Sequence, residues 1–353
     1  MTEKIRLVLA GFGNVGKAFA QLLLQKEHEL REEHGLNFVV TGICTGSHGA
    51  AIDPQGLDLA QALDTVERTG SLTILDRFSF FVNTLEFIET CPGDVLIETT
   101  PVNPRSGQPA LSHIEAGLAR GMHAITANKG PVVYGYQHLT RLAESQGKKF
   151  LFESAVMDGA PIFSLFREPL LGAKLLGFSG ILNSCTNLLL ERMEGGETLE
   201  QAIAYGASIG ITETDPSNDV DGWDAAIKVA ALATVLMGYP LTPLEVKPVG
   251  IRSITPQQII QASAEGKKWK LVCAAGWDEG SQFYARVRPE IVGPDSSLFA
   301  VTGTSSFVQF KLDVLPGLGI LESNPSPKTT AYGLLSDVLY ALKEKKPACL
   351  RFS

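Results

Sequence analysis

Apolar and polar positions along this chain alternate between two periods, and the switches outline strands and helices in turn. Residues 5–10 form a short apolar run closed by glycine, which predicts a buried strand. Val15, Ala18, Phe19, Leu22 and Leu23 then recur at the spacing of one helix face. That helix ends in a charged stretch at 27–34, which reads as solvated. Residues 38–44 and 94–100 predict further strands, and 110–119 a helix stopped by Gly121. A strand at 123–127, a helix at 136–146 and a strand at 149–152 follow. Strands separated by helices predict a parallel, doubly wound sheet and an α/β protein.

The pattern changes near residue 150. A strand at 178–182 leads into a helical run at 187–193, and Thr198-Leu199-Glu200-Gln201 is a capping-box sequence opening another helix. Residues 223–237 predict a long helix. From 268 onward strand-like runs dominate, at 269–275, 283–287 and 307–315, with no helical pattern between them. Such runs predict antiparallel pairing. A helix at 330–342 closes the chain.

Length and composition narrow the class. A chain of 353 residues has room for about two domains. The division expected is 1–150 and 151–320, with the closing segment 330–353 packing back on the first part. Thirty basic against thirty-eight acidic residues disfavour nucleic acid and anionic membranes as partners. Five cysteines without a Cys-x-x-Cys pair argue against zinc ribbons and redox dithiols, and for a reducing compartment. The N-terminus lacks the apolar segment of a signal peptide, and no apolar run reaches the ~18 residues of a membrane span. A cytoplasmic protein is expected.

Two segments carry candidate chemistry. Gly11-Phe12-Gly13-Asn14-Val15-Gly16 lies between the first strand and the first helix, the context that a dinucleotide fold of Rossmann type requires. The first glycine permits the turn, the second admits a pyrophosphate, and the third lets helix and strand pack closely. The helix N-terminus then offers free N–H groups to phosphate. An NAD site normally has an acid at the end of the second strand. This chain has Thr45-Gly46-Ser47-His48 there, which favours NADP over NAD, with Ser47 or His48 in reach of a 2′-phosphate. Thr99, Thr100 and Lys129 follow strands on the same ligand-binding edge.

The second segment is Glu213-Thr214-Asp215-Pro216-Ser217-Asn218-Asp219-Val220-Asp221-Gly222-Trp223-Asp224, with Lys228 one helical turn beyond. Five carboxylates in twelve positions repel one another unless cations offset them. An EF-hand reading fails, because Lys228 falls where a bidentate glutamate is needed. Asp224 and Lys228 at i, i+4 would suit a surface ion pair. The helix that follows, however, is apolar all round and must be buried, so its charges are paired or open into a cleft. Gly210, Glu213 and Asp219 lie on the loop leading there.

These motifs resemble those of homoserine dehydrogenases. The likeness rests on the glycine loop, Ala127-Asn128-Lys129, Glu153, Gly180-Ile181-Leu182-Asn183, the segment from Glu213 to Lys228, and a final Thr330-Ala331-x-Gly333-x-x-Ser336-Asp337 helix. It implies reversible, NAD(P)-dependent interconversion of L-homoserine and L-aspartate 4-semialdehyde, on the path to threonine and methionine. It implies that Lys228 transfers a proton, that Asp224 is its partner and a substrate contact, and that Glu213 and Asp219 contact the substrate. It implies Lys129 as a second active-site lysine, and cofactor contacts from residues 11–16, Thr99, Thr100, Lys129 and Gly210. It further implies a homodimer formed through an α+β second domain with a largely antiparallel sheet. A monovalent cation, usually sodium, would sit on backbone carbonyls of Glu153, Val156, Asp158 and Ala160. Feedback inhibition through an appended module is not expected. Cys185 stands where threonine is usual, and Asn324-Pro325-Ser326-Pro327 where the family has a glycine-rich contact. These departures, with Met157 and Asp158, leave open a related dehydrogenase of another small amino or hydroxy acid. A non-catalytic dinucleotide sensor is the remaining alternative.

Overall fold

In the computed structural model of the chain, which describes residues 2–76, 83–212 and 215–343, two sheets organise the molecule. The first has six strands: β1 (Glu3–Ala10), β2 (Leu36–Thr45), β3 (Gly49–Ile52), β4 (Val95–Glu98), β5 (His123–Thr126) and β6 (Phe150–Leu151). Their order is β3-β2-β1-β4-β5-β6. Five run parallel and β3 returns antiparallel to β2, an edge strand that the sequence pattern does not announce. The order reverses between β1 and β4, and ligands of open parallel sheets bind beyond the carboxyl ends at such a reversal.

Apolar faces seal the sheet on both sides. Helices Asn14–His34 and Pro327–Leu342 share one core with Leu7, Leu9, Ile43 and Ile97, through Phe19, Leu23, Leu334 and Val338. Helices Ala110–Ala119 and Lys129–Ser145 cover the other face through Ile114, Leu118, Val132 and Leu139. This second core continues without a break into the rest of the molecule.

The second sheet comprises β7 (Leu175–Ile181), β8 (Lys268–Trp277), β9 (Phe283–Val292), β10 (Ser306–Leu312) and β11 (Leu318–Glu322), ordered β11-β10-β7-β8-β9. Every pairing in it is antiparallel. Its inner face presents Phe178, Cys273, Ala275, Val308 and Phe310 to helix Trp223–Leu236, in which Ala225, Ala226, Ile227 and the run 229–234 are buried. The same helix packs against Lys129–Ser145 and so bridges the two sheets.

Several elements differ from expectation for local reasons. The helix expected from residue 136 begins at Lys129, because the Asn128 side chain caps it by accepting from the Gly130 N–H. The strand expected to run to residue 315 ends at Leu312, and β11 returns beside it. The closing helix starts earlier, at Pro327, with Ser326 as its cap; the part of the expected 330–353 segment beyond Lys343 lies outside the described residues. No helix among the described residues is long and apolar enough to cross a membrane.

Candidate active site

The glycine loop has the geometry that its sequence requires. Gly11 has φ +109°, and a Cβ there would lie 2.6 Å from Thr99 Oγ1. A Cβ on Gly16 would lie 2.5 Å from the Gly11 carbonyl oxygen, so the third glycine allows the helix to sit against the turn. Around Gly13 there is open space, and no side chain caps the helix that starts at Asn14. Free N–H groups and room beside them suit a pyrophosphate. Phe12 is buried within the sheet core, and Asn14 and Val15 form the first turn. Thr99 donates its hydroxyl to the Gly11 carbonyl (3.2 Å), so β1 and β4 meet at this point.

From there contacts run to the acidic segment. Asn128 donates to the Thr100 carbonyl (2.9 Å), and the next residue, Lys129, places Nζ 3.4 Å from Asp224 Oδ1. Lys228 approaches the other oxygen, Oδ2, at 3.3 Å and donates to the Leu182 carbonyl at 2.6 Å. The side chains of Lys129, Asp224 and Lys228 are 18%, 20% and 15% exposed, which places the cluster in a cleft rather than on an open surface. Asp219 and Asp224 are held together by Asn183, whose Nδ2 donates to both, at 2.6 and 2.9 Å. Val102, Pro104, Asp219, Trp223, Asp224 and Ile227 line the adjoining pocket.

Charge state follows from this arrangement. Burial works against the Asp224 charge, but Lys228 and Lys129 outweigh it and hold the carboxyl below the usual range. Burial would likewise lower the Lys228 ammonium, but Asp224 and Asp158 outweigh it and raise its pKa. Asp219 goes the other way: burial, then repulsion from Asp224, push it up to about 6. Two carboxylates with opposed shifts beside two ammonium groups are the pattern of a proton-handling site.

Of the other expected residues, Glu213 lies outside the described ones. Gly210 follows helix Leu199–Ser208, exposed and in the left-handed region at φ +73°. In the segment expected to bind a cation, Glu153 accepts from the N–H groups of Phe163 and Ser164 (2.7 and 2.8 Å) at the start of a short helix. The Asp158 carboxylate accepts from Ser326 N and Thr329 Oγ1. The Ala160 carbonyl accepts from Ile162 N, and Val156 is buried. Both carboxylates thus serve helix starts.

Sequence reading did not find the role of Asn183. Its signal was an asparagine between a strand and a helix; its Oδ1 accepts from Thr186 N, so it caps that helix and orients two acids at once. Cys185, the second residue of the same helix, is buried beside Asp219, and burial raises its thiol. Glu322 on β11 is pushed up to about 7 by burial and by Asp158, despite the influence of Lys228.

Comparison with known proteins adds an independent line. Residues 161–339 match the family described as homoserine dehydrogenase, and residues 11–153 match the homoserine dehydrogenase NAD binding domain. The chain is 35% identical to a homoserine dehydrogenase of Methanocaldococcus jannaschii, over 96% of this chain and 99% of the relative. It is 32% identical to an NAD(+)-dependent homoserine dehydrogenase of Pseudomonas canavaninivorans, over 96% of each. A hyperthermophilic archaeal homoserine dehydrogenase in complex with NADPH superposes with a TM-score of 0.80 at 27% identity, covering 96% of this chain and 98% of that one.

Proposed function

The chain belongs to the homoserine dehydrogenase family, and we propose that the cluster around Asp224 is its proton-transfer site, with Lys228 as the residue that moves the proton. It is an NAD(P)-dependent oxidoreductase acting on a CH–OH group, interconverting L-homoserine and L-aspartate 4-semialdehyde. Bound NAD(P) supplies or accepts the hydride. The side chains do the rest.

The observation that carries this reading is the clasp of Lys129, Asp224 and Lys228, joined through Asn128, Thr100 and Thr99 to the glycine loop. When hydride reaches the aldehyde carbon, charge grows on its oxygen. An ammonium held ready by Asp224 and the Leu182 carbonyl stabilises that charge and donates a proton to it. In oxidation the step runs in reverse: Lys228 first gives up its proton to solvent and then, as the neutral amine, takes the hydroxyl proton. Asp219, with Glu213, receives the substrate ammonium by charge-assisted hydrogen bonds. Lys129 sits on the cofactor side of the clasp, suited to the substrate carboxylate or the reacting oxygen. Gly11, Gly13, Gly16, Thr99, Thr100 and Gly210 form the cofactor cradle. The neutral turn after β2 favours NADP over NAD.

Residues 1–150, with the closing helix, are the nucleotide-binding part; 151–320 bind substrate and a second copy of the chain. The outer face of the second sheet supports a homodimer: Tyr284, Arg286, Gln309, Lys311 and Leu321 lie on the side opposite Phe178, Cys273 and Phe310. A reducing cytoplasm suits Cys44, Cys91, Cys185 and Cys273, all buried and unbridged. Homoserine-dependent NADP reduction tests the core of the reading. Lys228→Ala should lower kcat on the order of 100- to 10,000-fold, the usual range for losing a general acid–base. A native protein no faster than that variant excludes it.

A further inference from the structure

Glu98 is the last residue of β4 and is fully buried, as is Thr126, its register partner at the end of β5. Glu98 Oε1 accepts from the Thr100 backbone N–H at 2.9 Å and from the Thr100 hydroxyl. Oε2 accepts from the Thr126 hydroxyl at 2.6 Å. Thr126 Oγ1 in turn accepts the Asn128 N–H at 2.9 Å. Asn128 closes the ring by donating Nδ2 to the carbonyl of Thr100 at 2.9 Å and to that of Pro101 at 3.3 Å. One carboxyl therefore ties together the two loops that leave adjacent strands on the ligand side. Lys129 is the first residue after this ring.

Packing alone does not account for an acid at this position. No lysine or arginine among the described residues pairs with Glu98. The nearest cationic candidate is His113 Nδ1, at 3.9 Å, itself buried without a hydrogen-bond partner. A buried acid without a cation is unfavourable, and an apolar residue would fill the space at least as well. What the acid adds is direction: its acceptors face the two groups that fix the Asn128 turn.

We infer that Glu98 is a positioning residue for the reaction, holding the turn that presents Lys129 to Asp224. This rests on the reading of Lys129 as an active-site lysine. Its route to the chemistry is the chain Glu98, Thr126, Asn128, Lys129. Losing the carboxylate that accepts from Thr126 and Thr100 frees the start of helix Lys129–Ser145, and a displacement of ~1 Å at a positioned group costs on the order of 100-fold in rate.

The test is a double-mutant cycle on homoserine oxidation, with kcat measured per folded site and melting followed by circular dichroism. Glu98→Gln keeps the shape and should lower kcat by about tenfold or more, with a melting temperature no lower than native. In a Lys129→Ala background the same change should have little further effect, because both act through one group. Thr126→Val should repeat the loss, and it carries the test should Glu98→Gln fail to fold. Fully additive effects of Glu98→Gln and Lys129→Ala, or native kcat in Glu98→Gln beside an impaired Lys129→Ala, overturn the role of Glu98 and leave the site reading intact. Native turnover in Lys129→Ala overturns both.

Discussion

Burial and the adjacent Asp224 both oppose the charge on Asp219 and push its pKa up to about 6. Receiving a substrate ammonium needs the charged form. The ratio kcat/KM for homoserine should therefore fall as pH drops through about 6 and level off above it, while Asp224, held down by its two lysines, stays charged across that window. Profiles between about pH 5 and 9 check this. Asp219→Asn should flatten the acidic limb at a lower plateau, and an unchanged limb would remove Asp219 from the substrate site. Asp219, Asp224 and Lys228 were legible from sequence because they crowd one loop and one helical turn. Asn183 was not, although it touches both acids. Its place depends on a strand-to-helix junction arriving from 36 residues away, which no local pattern encodes. Lys129 could be assigned to the ligand edge of a sheet, but its pairing with Asp224 is purely tertiary.

In a dinucleotide fold of this kind the end of β2 is where a 2′-phosphate or 2′-hydroxyl would be met. Thr45 Oγ1 accepts the N–H groups of Ser47 (3.0 Å) and His48 (2.7 Å), and the His48 ring bonds the Gly70 carbonyl (2.8 Å). The turn is thus built from neutral acceptors, with no carboxylate to repel a 2′-phosphate or to bind a 2′-hydroxyl. Thr45→Asp would preserve the turn and supply that carboxylate. Its NADP-to-NAD ratio of kcat/KM should drop by about tenfold or more, the scale of one repulsive charge pair at a partly buried site. A ratio unmoved by the substitution would show that the 2′ group is read elsewhere. Helix 110–119 was readable to the residue because Gly121 marks its end. Helix Lys129–Ser145 was read a full seven residues short, since Gly130-Pro131 looks like a break. Within the first turn of a capped helix the same pair is tolerated, because the N–H that proline lacks would have no intrahelical partner there anyway. The strands β3 and β11, at four and five residues, are too short to show a period.

Alternation of strand and helix made the first sheet and its ligand edge readable, and the absence of helices after residue 268 made antiparallel pairing readable. The continuity of the core was not. Val8 and Leu96 on one sheet and Phe178 and Phe310 on the other belong to a single cluster, which only folding brings together. If the outer face of the second sheet is the dimer surface, light scattering should return twice the chain mass of 37.9 kDa, and Tyr284→Lys should lower it. A native mass of one chain would refute the dimer. The Asp224 carboxylate has a consequence at this scale too. One of its lysines is rooted beside the nucleotide sheet, and the other in the helix against the antiparallel sheet. If the substrate carboxylate goes to Lys129, Asp224 yields that ammonium to the newcomer while keeping the other. Arrival of substrate would then be an exchange of anions on a fixed pair of cations, with the two halves of the molecule meeting across the substrate itself for as long as it is bound.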